Sequence, residues 1–353
     1  MPGRAYDTVI MGGGPVGLAT ALVAARYGSV LVALPKRPPA AALRIDCVPV
    51  ALLALFVELG LHPGELGASA VHDHRLVAWE SANPEVVRGA GTGHILRPVL
   101  EERLLARVRA HRAISTVAGA PIGSLPPAGL ILDATGRRAI TAARTQLPAN
   151  PGIVRAIVIR GAFSRAQQAF RLAGLPTGYA YRLGTASAVM VGLVQGRDQW
   201  RDGAGPLDER LRVAGVGWLV AGLRCGNAEK SIGGAASVQW SEGPGPAIRI
   251  GDSALARDAL ASQGIANGIS AALTLFESAG FQEGYSARVN AERLAHLSSL
   301  ERLIGDCMHR EHSFWRDYRR FLREQLPAAN DPAATAASPN NSPGCGMGAA
   351  GAA

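Results

Sequence analysis

The chain has 353 residues, of which 48% are hydrophobic and 18% are charged, so it can bury a large core and is not disordered as a whole. The formal net charge is +9, but the Arg residues that carry it are spread along the chain among acidic residues. That distribution indicates a solvated surface, and no nucleic-acid-binding signature is visible.

The first 34 residues predict a βαβ unit. A buried strand over 7–11 is followed by a glycine turn, an Ala-rich helix over 18–27 that ends at Gly28, and a second buried strand over 30–34. Because glycines interrupt the apolar run, it indicates neither a signal peptide nor a membrane span.

The remaining elements follow in chain order. Further helices are predicted at 49–59, 96–110, 164–173, 207–214 and 264–278, with helical periodicity over 285–325. Further strands are predicted at 75–79, 130–133, 154–160, 178–183, 188–195 and 247–250. One aromatic stripe in the last helical region favours a packing face; it consists of Phe314, Trp315, Tyr318 and Phe321.

Residues that bind metals or form disulfides do not occur at diagnostic spacings. His72, Asp73 and His74 lack a third ligand, so we predict no metal site and place these residues in a loop before a strand. The four cysteines fit neither a zinc site nor a disulfide framework, which favours a reduced, cytoplasmic setting; they are Cys47, Cys225, Cys307 and Cys345.

The glycine turn after the first strand carries the clearest motif. Residues 12–17 read Gly-Gly-Gly-Pro-Val-Gly and fit G-x-G-x-x-G between a strand and a helix, the context in which this pattern indicates dinucleotide binding. Gly12 permits the tight turn, Gly14 lets the backbone approach a pyrophosphate, and Gly17 lets the helix pack closely on the strand. The helix start at Pro15 offers free N–H groups and a positive dipole end to phosphates.

One element of the dinucleotide motif is missing. An acidic residue normally ends the second strand and binds the adenosine ribose, but Leu34 and Pro35 stand there, and Lys36 and Arg37 follow. One charge-assisted hydrogen bond contributes about 1.5–3 kcal/mol, whereas a micromolar ligand binds with about 8 kcal/mol. We therefore expect weaker binding and not its loss. A contact of Lys36 or Arg37 with a phosphate or the adenine edge stays open.

Two later stretches resemble flavin-binding segments. Ile250-Gly251-Asp252-Ser253-Ala254 ends a strand, and 262–268 then opens a helix. This arrangement resembles the second flavin motif of the glutathione-reductase-like flavoproteins, in the branch with aromatic hydroxylases and flavin halogenases. The resemblance implies that Asp252, after Gly251, meets the ribityl chain and that the helix start faces the flavin pyrimidine edge. It assigns cofactor contacts at that helix start to Gln263, Gly264, Ile265 and Asn267.

Other segments support the same resemblance. Asp133-Ala134-Thr135-Gly136 resembles the D-x-T-G strand end beside the cofactor, which implies contacts by Asp133 and Gly136. The segment 44–49 resembles one in which an Arg, here Arg44, approaches the cofactor with an acidic residue beside it. The segment 94–98 resembles the start of a helix whose Arg, here Arg97, lies near the flavin pyrophosphate.

The resemblance can be narrowed within this branch. Residues 178–184 and 257–264 are most similar to halogenase-like flavoproteins that help to mature tryptophylquinone cofactors, which implies hydroxylation of a Trp in a partner polypeptide. The halogenase Trp-x-Trp-x-Ile-Pro motif and its catalytic Lys are absent from the chain. Oxygenation or dehydrogenation is therefore expected before halogenation.

The resemblance implies an α/β fold with an inserted layer. A Rossmann-like FAD-binding domain is expected over 1–150 and 241–275, with a mainly β substrate layer over 151–240 between its parts. A helical C-terminal segment is expected over 276–327. Residues 328–353 are mostly Ala, Pro, Asn and Gly and predict a disordered tail.

The implied function is that of an FAD-dependent monooxygenase. Electrons would come from NAD(P)H or a reductase, and O2 would be activated as a flavin hydroperoxide for transfer to an aromatic small molecule or a Trp-containing partner polypeptide. Asp46 and His94 are the candidates for proton handling. Two alternatives stay open: a flavin dehydrogenase or oxidase without oxygen transfer, and a non-catalytic dinucleotide- or peptide-binding module, which the missing ribose carboxylate favours.

Overall fold

Two sheets with covering helices make up the part of the chain that the computed structural model describes. The described residues are 6–36, 44–202, 206–224, 229–243, 245–261, 264–277 and 281–327. Gln263, Arg37, Cys225, Cys345 and the predicted tail lie outside them. None of the described helices combines the length and the apolar character that crossing a bilayer requires.

The strands and helices alternate at first and separate later in the chain. The strands are β1 (Tyr6–Met11), β2 (Val30–Leu34), β3 (Ile45–Pro49), β4 (His72–Ala78), β5 (Glu85–Leu96), β6 (Ile114–Ala118), β7 (Ala128–Asp133), β8 (Arg144–Gln146), β9 (Gly152–Arg160), β10 (Arg171–Leu175), β11 (Gly178–Gly184), β12 (Ala188–Gly196), β13 (Glu229–Ala235), β14 (Gln239–Glu242) and β15 (Ile248–Arg249). The helices are α1 (Pro15–Ala24), α2 (Val50–Glu58), α3 (Arg97–Ala110), α4 (Arg165–Gln168), α5 (Arg197–Asp202), α6 (Leu207–Val213), α7 (Asp252–Leu255), α8 (Gly264–Glu277), α9 (Phe281–Gly305) and α10 (Ser313–Glu324).

The first sheet, sheet A, is parallel and has the strand order β15-β7-β1-β2-β6. Its central strand β1 is apolar, and Val9 and Ile10 have no exposed surface, as expected for a strand that is covered on both faces. The helices α1, α3 and α8 pack in the same hydrophobic cluster as β1 and β2. This architecture confirms the predicted Rossmann-like βαβ start.

The second sheet, sheet B, has eight strands in the order β13-β9-β12-β11-β10-β4-β5-β3. All of its strand pairs are antiparallel except β10 with β4. Strand β12 is buried along its whole length because the helices α9 and α10 cover one face of the sheet and α6 covers the other. Three of the eight strands, β3, β4 and β5, come from 45–96, so the range 1–150 that the sequence predicts as the FAD-binding domain also contributes strands to sheet B.

The predicted helix over 164–173 is wrong in its second half. A short helix covers Arg165–Gln168, but 171–175 forms β10, which pairs with β11 on one side and β4 on the other. Strand pairing on both sides outweighs the local helical pattern, as is common for short segments. The placement of His72 and His74 in a loop is wrong as well, since both lie within β4.

The aromatic stripe of α10 is a packing face, as predicted. Phe314, Trp315, Tyr318 and Leu322 are buried against sheet B. The indole of Trp315 lies edge-on to Trp79 with ring centroids 5.3 Å apart, and its Nε1 donates a hydrogen bond to the Leu175 carbonyl at 2.6 Å. These contacts attach the C-terminal helix to the face of the sheet.

We expect Trp315→Ala to lower the free energy of unfolding by about 3–5 kcal/mol, because a large buried aromatic group is lost and a cavity remains. The neighbouring Arg316→Ala changes an exposed side chain of the same helix and should stay within about 0.5 kcal/mol of the wild type. Urea unfolding of both variants measures the difference. Equal unfolding free energies for the two variants would contradict the role of Trp315 as an anchor.

Candidate cofactor-binding site

The glycine and aspartate segments that the sequence predicted as one site meet at one edge of sheet A. Strand β7 lies between β1 and β15, with Asp133 opposite Met11 on one side and Arg249 on the other. Because the three strands are parallel, the segments that follow them leave the sheet at the same edge. The hydroxyl of Ser253 donates to the backbone oxygen of Asp133 and so ties two of these segments together.

The turn at Gly12–Gly17 is shaped by close backbone packing. Gly12 has φ +121°, and a Cβ there would collide with the Ala134 carbonyl oxygen, while a Cβ at Gly17 would collide with the carbonyl oxygen of Gly12. Around Gly14, in contrast, nothing lies within 4 Å of the position a Cβ would take. Open space therefore lies in front of the start of α1.

The N-terminus of α1 points its free N–H groups into this open space. The first bond of α1 runs from the Leu18 N–H to the Gly14 carbonyl, so the N–H groups before it make no such bond. Pro15 is the first helical residue and has no N–H to satisfy, which suits this position. The positive end of the helix dipole adds to the attraction for an anion here.

The distal motif packs directly on the first one. A Cβ at Gly268 would lie 2.6 Å from the Val16 Cγ2 atom, and a Cβ at Gly251 would lie 3.1 Å from the Val16 Cγ1 atom. The Asp252 Oδ1 atom is 3.2 Å from the Cβ position of Gly264, the first residue of α8. The start of α8 and the carboxylate of Asp252 therefore lie beside the start of α1.

The remaining predicted residues of α8 lie in its first turn. Ile265 packs against the hydrophobic cluster of sheet A, and Asn267 is partly buried directly before the buried residues Gly268 and Ile269. Gln263, which precedes the helix, lies outside the described residues. The sequence did not single out Val16, which is a variable position of the glycine motif. Gly251 and Gly268 in the distal motif indicate a close neighbour, and they are the sequence signal for Val16.

Asp133 shapes its own loop instead of facing a ligand. One carboxylate oxygen accepts hydrogen bonds from the Thr135 N–H and hydroxyl at 2.9 and 2.6 Å, and the other accepts from the Thr141 N–H and hydroxyl at 3.0 and 2.8 Å. The four lone-pair sites of this fully buried carboxylate are thereby filled. The carboxylate of Asp133 therefore holds this loop in place, and a contact of Asp133 with the cofactor stays a prediction. Gly136 in the same loop has φ +69° and open space at its Cβ position.

Asp46 lies between two arginines. Its carboxylate accepts from the Arg44 Nε at 3.0 Å and from the Arg97 Nη1 at 3.0 Å, and the Arg97 Nε contacts Glu101 at 2.6 Å. Burial raises the pKa of Asp46, but the charges of Arg44 and Arg97 outweigh burial and hold the pKa below its usual value. Arg44 precedes β3, which contacts α8, and 60% of its side chain is exposed.

His94 belongs to sheet B and not to the edge of sheet A. It stands on β5 opposite Cys47 and has no exposed surface. Its Nδ1 is 2.9 Å from the Gly184 carbonyl, and burial lowers the pKa of the ring to about 4. The neutral ring therefore donates from Nδ1, which leaves Nε2 as an acceptor without a partner among the described residues.

His72 stacks on His94 with ring centroids 6.1 Å apart, and its pKa is also lowered by burial. Among the described residues, no group of three or more His, Cys, Asp or Glu side chains is arranged to hold a metal ion. The two imidazoles therefore form a buried, uncharged pair within sheet B.

Comparisons with known proteins identify the fold. No protein-family profile matches the chain, and no curated protein is similar in sequence. Among solved structures, the peptidyl tryptophan dihydroxylase QhpG, described as essential for tryptophylquinone cofactor biogenesis, is 18% identical with a TM-score of 0.67, over 90% of this chain and 79% of that one. The myxobacterial FAD-dependent halogenase CndH is 15% identical with a TM-score of 0.72, over 95% and 89%.

A third similar structure is PqsL of Pseudomonas aeruginosa, described as a probable FAD-dependent monooxygenase. It is 14% identical with a TM-score of 0.66, over 91% of this chain and 100% of that one. The chain therefore has the fold that these FAD-dependent halogenases and monooxygenases share. This confirms the α/β fold class and the structural resemblance that the sequence predicted.

We expect Asp46→Asn to lower the free energy of unfolding by about 1.5–3 kcal/mol near neutral pH, because the partly buried Arg97 loses one charged hydrogen-bond partner and keeps only Glu101. The pKa of Asp46 is lower in the folded chain than in the unfolded one, so its stabilisation is complete above the ordinary value of 3.8 and is lost as the pH falls through the lowered value. The difference between wild type and variant should therefore shrink in acid.

Urea unfolding of the wild type and of Asp46→Asn, from neutral pH to below pH 3.8, measures the difference between their free energies of unfolding. Glu65→Gln, at an exposed carboxylate, is the control and should behave like the wild type. A constant difference at every pH would show that the charge of Asp46 is not the cause.

Proposed function

We propose that this chain binds FAD and is an FAD-dependent oxidoreductase of the monooxygenase type. One observation carries the proposal: the start of α1, Asp252 and the start of α8 lie side by side at the edge of sheet A, and the Cβ position of Gly14 there is open. Two helix N-termini and one carboxylate at the carboxyl edge of a parallel sheet suit a dinucleotide that carries both phosphates and hydroxyl groups. The fold similarity to FAD-dependent enzymes supports FAD as that dinucleotide.

The residues present fit the cofactor. The N–H groups in the first turn of α1 would hold the pyrophosphate, and a side chain at Gly14 would obstruct them. Asp252 would accept hydrogen bonds from the ribityl hydroxyl groups, and the start of α8 at Gly264 would face the flavin pyrimidine edge. Arg44 has N–H groups beyond its bond to Asp46 and would add positive charge near the phosphates.

When bound, FAD would supply the electron transfer and the chemistry of O2, and the protein would supply position, dryness and charge. Asp46 stays ionised between two arginines, so we assign it the positioning of Arg97 and not proton transfer. His94 keeps one free acceptor atom, Nε2, but its lowered pKa makes it a poor base near neutral pH. Neither of the two proton-handling candidates therefore has the properties of an efficient general base.

We propose an aromatic substrate, specifically a Trp side chain of a partner polypeptide. QhpG, which has the same fold, is a peptidyl tryptophan dihydroxylase. Residues 178–184 and 257–264 of this chain resemble the halogenase-like flavoproteins that help to mature tryptophylquinone cofactors. NAD(P)H or a reductase would provide the electrons and O2 would be the co-substrate. The cysteine usage further suggests a cytoplasmic setting.

A second candidate is a binding module without catalysis. Leu34 stands at the end of β2, the position at which an acidic residue normally binds the adenosine ribose. Its Cδ2 atom lies 2.7 Å from the position that a Cβ of Gly13 would take, so an apolar side chain lies beside the glycine turn. An absorbance spectrum of the purified protein distinguishes the candidates, since the oxidoreductase would carry or take up a yellow flavin. Incorporation of labelled oxygen from O2 into a Trp-containing peptide, with NAD(P)H present, then separates oxygen transfer from a dehydrogenase or oxidase reaction.

We expect Gly14→Asp to weaken FAD binding strongly while the fold stays intact. The residue has φ −78° and ψ 172°, which an L-amino acid adopts freely, and Asp is favoured as the N-cap of a helix. Its negative charge would stand where the pyrophosphate binds, so the Kd for FAD should rise at least a hundredfold, about 2.7 kcal/mol.

Gly14→Asn is the matched control, since it has the same shape without the charge and should raise the Kd less. Quenching of flavin fluorescence gives the Kd, and urea unfolding reports the fold. If Gly14→Asp bound FAD as the wild type does, the phosphate site in front of α1 would be refuted.

A further inference from the structure

We propose that Asp258 is a positioning residue that sets the start of α8. It does so by clamping the segment 256–261 between β11 and the two C-terminal helices. The consequence for FAD rests on the proposed function, whereas the consequence for α8 itself does not. Nothing in the glycine motifs points to Asp258, because it lies six residues before the helix.

The carboxylate of Asp258 is surrounded by donors from distant parts of the chain. One oxygen accepts from the Tyr179 hydroxyl at 3.1 Å and the Leu260 N–H at 2.9 Å, and the other accepts from the Tyr318 hydroxyl at 2.6 Å. Only 2% of the residue is exposed. A buried carboxylate is costly unless hydrogen bonds satisfy it, so these three donors hold it at one place.

The backbone of Asp258 is held as well. Its N–H donates to the His296 Nε2 at 3.3 Å, which requires a neutral imidazole. Burial lowers the pKa of His296 to about 3, so the ring is neutral at any pH at which the protein is expected to work. Asp258 thereby joins four elements: β11 through Tyr179, α9 through His296, α10 through Tyr318, and its own segment through Leu260.

The neighbours of Asp258 reinforce the same attachment. The Arg257 guanidinium pairs with Glu292 of α9 at 3.1 Å, and its backbone oxygen accepts from the Arg137 Nη2 at 3.2 Å. The Ala259 N–H donates to the Ala236 carbonyl at 2.9 Å. The segment is therefore fixed on both sides of Asp258, directly before the chain enters α8.

The start of α8 depends on this segment because the segment lies directly before the helix in the chain. After Ala261 only two residues separate the clamp from Gly264, where α8 begins next to Asp252. A shift of the clamped segment would displace the N-terminus of α8 relative to Asp252 and Val16. A helix terminus that stabilises charge by its dipole acts only at close range, so a small displacement matters.

Tyr318→Phe tests this inference with minimal change of shape. It removes one donor to Asp258 and one acceptor for the Val238 N–H, which bonds the Tyr318 hydroxyl at 3.0 Å. We expect hydrogen exchange of the amides over 264–268 to accelerate about tenfold and the Kd for FAD to rise about tenfold. Asp258→Asn, which keeps one acceptor oxygen, should act in the same direction.

Leu322→Ala is the matched control on the same helix. Leu322 is fully buried in the hydrophobic cluster between α10 and sheet B, and its side chain cannot hydrogen-bond to Asp258, so its truncation should destabilise the fold more than Tyr318→Phe does. It should nevertheless leave exchange over 264–268 and the Kd for FAD near their wild-type values. Leu322→Ala should therefore have the larger effect on stability, and Tyr318→Phe the larger effect on exchange and on the Kd for FAD. That difference separates positioning from general stability.

The outcomes are distinct. If Tyr318→Phe and Leu322→Ala changed the exchange rates over 264–268 only in proportion to their loss of unfolding free energy, the positioning role of Asp258 would be overturned. If the wild type bound no FAD, the proposed function would fail, but the exchange rates would still decide whether Asp258 sets the start of α8. If Tyr318→Phe accelerated exchange without changing the Kd for FAD, α8 would be positioned by Asp258 and its contact with the flavin would be refuted.

Discussion

The contact between the glycine turn and the two segments beside it is the constraint on which the rest of the site depends. The Ala134 carbonyl oxygen lies where a Cβ of Gly12 would stand, and Val16 packs against Gly251 and Gly268. These contacts leave no room for a Cβ at Gly12 or Gly268. They bring the starts of α1 and α8 together at one edge of sheet A, and each helix start carries a partial positive charge.

Sheet B and the C-terminal helices build on this arrangement. The arginines that flank Asp46 lie at the start of β3 and of α3, which connects sheet B to the edge of sheet A. Helix α10 packs on sheet B through Trp315, and through Tyr318 it hydrogen-bonds to Asp258 in the segment that precedes α8. The segments that line the candidate site are therefore held from several directions before any ligand binds, which lowers the ordering cost of binding.

Elements with a strong local pattern could be predicted from the sequence. The strand over 30–34 has the predicted bounds, and the start of α8 falls at Gly264 as expected, since alternation, glycine turns and helix starts are encoded within a few residues. The meeting of Gly12, Gly251 and Gly264 was also predictable, because parallel strands with a glycine turn at their ends share one edge.

Features that depend on distant partners could not be predicted. The segment 171–175 forms a strand because β4 and β11 flank it, and neither partner is visible in its own sequence. Asp133 matched a cofactor motif, but Thr135 and Thr141 occupy its carboxylate. Asp258 escaped notice because its partners, Tyr179 and Tyr318, lie far away along the chain.

An experimental structure of the protein with FAD tests the central claim most directly. We expect the pyrophosphate within hydrogen-bonding distance of the N–H groups that open α1, the ribityl chain beside Asp252, and the flavin ring at the start of α8. A flavin bound at any other place on the molecule, or no flavin at saturating concentration, would contradict the assignment of this edge of sheet A as the cofactor site.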